Sequence, residues 1–278
     1  MRAHFGGASR ESLKVSRSAL DAAIKGATPD MASRLSSELF FAAHVLDGTI
    51  TLRRAITDPA RDSAAKANLV TEIFSKSLQP NALGILTMIS SLRWSSSADL
   101  VPVIEQLSIE AQASAANIEN ELDRVEDEFF AVLQAITSSF DLRKALIVSD
   151  LVEAKSALVR DLLGESASAS TVKLVTHLVN NLRGRSIEAA FEDYIHALAA
   201  RRNRVIALVR VATPLTDKQH DRLVAVLTAQ VGQPVRVNVE IDPMIVGGVS
   251  VEFGDEIVDG TISNRLAGAG RAVVGANV

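Results

Sequence analysis

Residues 234–266 read PVRVNVEIDPMIVGGVSVEFGDEIVDGTISNRL, and they set the end of the chain apart from all that precedes it. Val235, Val237, Val239 and Ile241 alternate with Arg236, Asn238, Glu240 and Asp242, the period of a half-buried strand. Asp242-Pro243 stops that strand, because proline brings no N–H to a ladder and restricts the residue before it. Residues 249–253 predict a second short strand, closed by the turn pair Gly254-Asp255. From Gly232 onward the chain carries eight of its 15 glycines, whereas upstream the pattern is helical.

Just before this stretch, residues 205–211 (VIALVRV) form a β-branched run that predicts a strand. Thr216 predicts the cap of a helix over 217–231, with Leu223, Val226 and Leu227 on its apolar face. With a terminal helix expected from about Thr261, residues 205–278 read as a small α/β module of strand, helix, strand, hairpin and helix. The fold class is therefore mainly α, ending in a small α/β C-terminal module.

The helical body begins with a helix over 9–25 and a second opened by Thr28-Pro29-Asp30 and closed by Gly48. Asp58-Pro59 reads as the N-cap and first turn of a helix running towards Phe74, and another helix covers 81–92. Residues 99–138 read as one continuous helix of about 60 Å, at 1.5 Å per residue. Asp150 and Glu153 have the spacing of a capping box, and helices follow over 170–182 and 186–200.

The body also resembles itself. Glu38-Leu39-Phe40 matches Glu128-Phe129-Phe130, Leu52-Arg53-Arg54-Ala55-Ile56 matches Leu142-Arg143-Lys144-Ala145-Leu146, and Lys66 with Leu69-Val70 matches Lys155 with Leu158-Val159. Leu92-Arg93 matches Leu182-Arg183, so the offset stays at about 90 residues through successive helices. The expected organisation is two related helical-bundle lobes, 1–115 and 116–204, then the module 205–278.

Composition narrows the function. The chain is 47% hydrophobic but 4% aromatic, so alanine, leucine and valine must fill closely packed helices. A net charge of −4 argues against nucleic acid as the main partner, and the absence of cysteine removes disulfides, thiolate metal sites and a cysteine nucleophile. Apolar runs are cut by arginine short of a membrane span, and the opening MRAHFGGASRESLK carries no apolar signal core.

Catalytic patterns do not assemble. His4, His44, His177, His196 and His220 are scattered and lack metal-ligand spacing. Asp242, Asp255, Glu256 and Asp259 lack the alternation of a calcium loop and read as turn-forming acids. Gly247-Gly248 sits in neither a GxGxxG nor a GxxxxGK[ST] motif, so a bulge or close backbone approach accounts for it better than a phosphate cradle. The basic run at 199–204 has no interleaved aromatics and suits a cationic helix end. No catalytic, cofactor or metal residue is assigned, and the profile is that of a scaffold.

Ala212-Thr-Pro214-Leu215-Thr-Asp-Lys-Gln219, then Gly232, Asp242-Pro243 with Gly247-Gly248, Gly254, and Asp259-Gly260-Thr-Ile, resemble the C-terminal signature of the F-type ATP synthase delta subunit family. The mitochondrial members of that family are the oligomycin-sensitivity-conferring proteins. The common member has one helical domain before its tail. Two lobes are similar to the enlarged delta subunits of actinobacteria, some of which are fused to a b-type stalk subunit.

The resemblance implies a non-catalytic stator subunit with no cofactor, joining the catalytic headpiece to the peripheral stalk. It implies partners in the N-terminal segments of the alpha subunits and in the b-type stalk subunit. It also implies a place on the cytoplasmic face of the bacterial membrane, reached only through the complex. The expected groove for an alpha segment lies between helices 9–25 and 81–92, with Leu13, Leu20, Leu83 and Trp94 near it. A general helical-repeat adaptor is the alternative, although such an adaptor has no need of the C-terminal module.

Overall fold

A computed structural model describes residues 5–148, 151–164, 166–201, 205–231, 235–242, 245, 248–253 and 256–259. The chain divides into two compact units, Met1–Leu198 and Ala199–Val278. Among the described residues, no helix is long and apolar enough to cross a membrane.

The first unit is helical: α1 (Gly7–Ile24), α2 (Pro29–Gly48), α3 (Ile50–Thr57), α4 (Ser63–Phe74), α5 (Pro80–Ser91), α6 (Leu100–Ile118), α7 (Leu122–Ser138), α8 (Phe140–Val148), α9 (Val152–Leu163), α10 (Ala169–Asn180) and α11 (Ile187–Ala200). Local chemistry sets several of the starts. The Thr28 hydroxyl accepts the Met31 N–H ahead of Pro29, which needs no partner for a missing donor.

Two expected boundaries move. Asp58-Pro59 forms a turn, in which the Asp58 carboxylate accepts the Ala60 N–H at 2.9 Å. Asp62 instead caps α4, accepting the Ala64 N–H. The continuous helix expected over 99–138 is two helices, because Asn120 adopts φ 60° and the left-handed residue ends α6. The Asp150 of the expected capping box lies outside the described residues.

The lobe-like matches in sequence acquire structural content. Buried Ala32, Leu35, Ser36, Leu39 and Leu46 of α2 stand 90 positions before buried Leu122, Val125, Glu126, Phe129 and Ile136 of α7. Buried Lys66 and Val70 of α4 stand 89 before Lys155 and Val159 of α9. Glu38 accepts the N–H of Gln79, the residue before α5, and Glu128 accepts the N–H of Ser168, the residue before α10. Each of these carboxylates satisfies an orphan donor at a helix start.

The core of α1–α5 closes on α6. Leu100, Ile104, Leu107 and Ala111 of α6 join Leu20, Leu39, Leu46, Phe74 and Ile89 in one buried cluster. The rest of α6 is also enclosed, with Glu105, Glu110 and Gln112 buried among the helices around it. A helix buried on all sides belongs to the interior of a larger body. Among α7–α11, Phe129 packs on Phe191 and Tyr194 at ring-centroid distances of 5.6 and 6.1 Å. Each such buried side chain contributes roughly 1.5–3 kcal/mol by removal from water.

The second unit contains β1 (Val205–Val211), α12 (Asp217–Val231), β2 (Val235–Ile241), β3 (Val249–Phe253) and β4 (Glu256–Asp259) in a sheet ordered β2-β1-β3-β4. β1 and β2 are parallel, Val205 opposite Val235 through Val211 opposite Ile241, so α12 is the crossover that parallel pairing requires. β3 runs antiparallel to both β1 and β4.

Ala207, Val209, Val211, Val235, Val237 and Val251 pack with Leu227 of α12. Val224 packs there too, whereas Val226, expected on that face, is 54% exposed. The helix turns by 100° per residue, so Val224 and Leu227 share a side that Val226 does not. The terminal helix expected from Thr261 lies outside the described residues.

Candidate partner-binding surfaces

The four apolar residues expected at the groove are not gathered on one surface. Leu20 is fully buried and belongs to the core beneath α1. Leu13, 9% exposed, borders a cleft of about 800 Å³ among α1, α6 and α11, which Phe5, Pro102, Ile109 and Arg185 also line. Leu83 lines a separate open hollow of about 720 Å³ between α4 and α5, with Thr71, Pro80, Gly84, Thr87 and Met88. Trp94 is half-buried against the core and donates its indole N–H to the Ile89 carbonyl.

On α5 the inward residues are Ala82, Ile85, Leu86 and Ile89. Asn81 and Gly84 face out, and Leu83, Thr87 and Met88 are half-exposed. A side chain at Gly84 would meet open space. A glycine inside a helix costs about 1 kcal/mol relative to alanine, and no neighbour among the described residues requires this one.

The outer face of α10 is, by contrast, covered by α2. Lys173 donates to the Ser33 carbonyl at 2.6 Å, to the Ser33 hydroxyl at 2.9 Å and to the Gln112 amide oxygen of α6 at 2.8 Å. Gln112 in turn donates to Ser170. One turn further on, the Phe40 ring of α2 stacks on His177 with centroids 3.6 Å apart. Burial pushes the Lys173 ammonium down to about 8, so it still carries its charge at neutral pH, where three acceptors surround it. None of these polar groups stood out in the sequence; the one signal available was their i, i+3, i+7 spacing on α10.

Beneath this contact lies a buried ionic knot. Glu105 of α6 accepts from Arg183 at 3.0 Å and from Arg185 at 3.1 Å, both in the loop before α11. That loop turns through consecutive left-handed residues, Arg183 and Gly184. The Tyr194 hydroxyl has one proton and donates it to Glu105, so His177 Nδ1, 2.8 Å from the same hydroxyl, is the protonated nitrogen. Burial, reinforced by Arg183, His44, Arg185 and Lys173, pushes His177 down to about 3. The ring is neutral at physiological pH. This knot fixes α6 to the loop before α11, and its carboxylate is already fully engaged.

In the C-terminal unit, Leu215 packs on the sheet core and Pro214 is exposed. Thr216 and Gln219 form a reciprocal cap at the start of α12: Gln219 Oε1 accepts the Thr216 N–H at 2.9 Å, and the Thr216 hydroxyl accepts the Gln219 N–H. The Asp242 N–H continues the ladder by donating to the Val211 carbonyl. Gly248 has φ 90°, and Asp259 pairs with Ser250 at the β3–β4 edge. Gly232, Pro243, Gly247, Gly254 and Gly260 lie outside the described residues.

On the sheet, half-exposed Arg210 bridges Glu240 at 3.0 Å and Glu252 at 3.1 Å, tying β2, β1 and β3 together. Among the described residues, no three histidine or carboxylate side chains gather as a metal ion would need.

The fold thus defines a mainly helical protein with a small mixed sheet at its C-terminal end, whose open features are helix faces. The chain belongs to the ATP synthase delta (OSCP) subunit family, whose model matches residues 109–273. It is 41% identical to the "ATP synthase subunit delta" of Streptomyces coelicolor over 266 residues, 95% of this chain and 97% of that one. The like-named proteins of Streptomyces avermitilis and Kineococcus radiotolerans are 40% and 37% identical, each covered over 98% of its length.

Proposed function

We propose that the chain is a non-catalytic stator subunit of a proton-translocating F-type ATP synthase, joining the alpha/beta headpiece to the b-type peripheral stalk. The observation that carries this is similarity over nearly the whole length to relatives named ATP synthase subunit delta. The subunit needs no active site, since a stator resists torque through several linked contacts that raise overall affinity together. It lies on the cytoplasmic face of the bacterial membrane and reaches that membrane only through the complex.

The helical part is a duplication. Recurring burial at offsets of 90 and 89 supports this, as do the paired roles of Glu38 and Glu128. The lobes run from 1 to 115 and from 116 to 204, and α6 contributes to both. The family model matches residues 109–273, which span the proposed second lobe and most of the C-terminal module, 205–278.

The first lobe receives an alpha-subunit segment as an amphipathic helix at the groove expected between α1 and α5, on the α5 face where Leu83 lines the open hollow, with Leu20 in the core beneath and Leu13 bordering a separate cleft. The module, with its exposed Ile241 and Val226, meets the b-type stalk.

Affinity capture of the tagged chain from native membranes tests the proposal. Alpha, beta and b-type subunits are expected to co-purify. A chain ending at residue 204 is expected to keep alpha and beta while losing b. Failure of the full chain to recover any of them would refute the stator role.

A further inference from the structure

The buried residues of α5, namely Ala82, Ile85, Leu86, Ile89 and Ser90, stand 89 positions before Thr171, Leu174, Val175, Leu178 and Val179 of α10, all buried. On that register Ser170, Lys173 and His177 of α10 correspond to Asn81, Gly84 and Met88 of α5. Two surfaces built alike meet opposite fates. The α10 surface is covered by α2, which lies against α6 and is latched through Ser33, Lys173, Gln112 and the Phe40–His177 stack. The α5 surface is open, with Asn81 and Gly84 exposed and Met88 half-exposed.

We infer that α2 is a built-in occupant of the second lobe's helix-binding valley, between α6 and α10, so that the chain offers an outside helix a single open face, that of α5 around Gly84 and Met88, which also borders the hollow between α4 and α5. The inference rests on the alpha-segment docking proposed above and adds its stoichiometry: one segment per chain, despite two lobes.

The chemistry of the two valleys agrees with this division. The filled one presents Lys173 to a backbone carbonyl and a hydroxyl of α2, a fixed polar latch suited to a permanent intramolecular neighbour. The open one presents glycine and methionine at the same two positions. Gly84 permits close backbone approach, and Met88 adapts its shape to an apolar helix face. The exposed helix-interior glycine, which nothing among the described residues explains, then has a reason in the partner.

The test is calorimetric titration of the full-length chain with a synthetic peptide of the alpha subunit's N-terminal segment from the same organism. One peptide per chain is expected. Gly84→Glu places a carboxylate in open space on α5 without touching the core, so the fold is retained, as circular dichroism would verify. Binding should weaken at least tenfold, with no second site left. Two peptides bound to the unmodified chain, or one bound to Gly84→Glu at undiminished affinity, would overturn the inference and leave the stator role intact. No binding to the unmodified chain would overturn the inference together with the docking on which it rests, whatever the membrane capture shows.

Discussion

At the scale of single residues, His177 carries the most consequence for so small a group. Its ring is neutral, stacked on Phe40 and bonded to Tyr194, and its pKa is down at about 3. An unfolded chain would protonate it near 6.5. The folded value is depressed, so the unfolded state binds the extra proton first as pH falls below about 6.5. Stability should therefore decline in that range by up to about 1.4 kcal/mol per pH unit from this group. Urea unfolding at pH 7 and pH 5 would measure it: His177→Phe should show a shallower decline than the unmodified chain, and equal slopes would contradict the assignment.

The same scale shows where reading the sequence ran short. The resemblance set Leu13, Leu20, Leu83 and Trp94 near a groove, but neither it nor apolar periodicity can say which side of a helix the next helix covers. Leu20 proved to be core, while Gly84, which carries no periodic signal, proved to be exposed and Met88 half-exposed.

At the scale of elements, most helices and all three strands up to residue 253 were legible, because capping residues and alternation act locally. Thr216 capped α12 as its sequence suggested, and Gln219 completes the pair from the other side. The failures came where two local solutions competed. Asp58-Pro59 and Asp62 both offered a start for α4, and the chain used the first as a turn and the second as the cap.

The break between α6 and α7 was hidden because the apolar stripe from Leu122 to Ile136 continues a helical period and neither glycine nor proline interrupts it. Asparagine fills the left-handed position instead, as the non-glycine residue that tolerates it best. Asn120→Ala should cost roughly 1–2 kcal/mol, whereas Asn120→Gly should be neutral or slightly stabilising. Thermal unfolding of the two variants side by side would separate them, and indistinguishable midpoints would mean that the break does not depend on this residue.

At the scale of the whole molecule, the internal resemblance was visible in four short matches, and two of them fall on structurally equivalent pairs: Glu38 with Glu128 at helix starts, and Lys66 with Lys155 in the interior. The sequence could not reveal that α6 closes the first bundle and also lies within the second, since a shared helix leaves no mark in a list of repeats.

That sharing gives the chain's history a direction. A lobe joined by a linker can be lost by one deletion, leaving its neighbour whole. Here the deletion of residues 1–99 would strand Leu100, Ile104, Leu107 and Ala111 in water along one side of α6. The shortened chain should aggregate on refolding, and light scattering should fall once those four positions are made polar; a monodisperse deletion product would refute this. On the proposed duplication, gaining the lobe took one step, whereas losing it takes a deletion and a new surface together. Enlargement of this kind would work as a ratchet, a step far easier to take than to retrace.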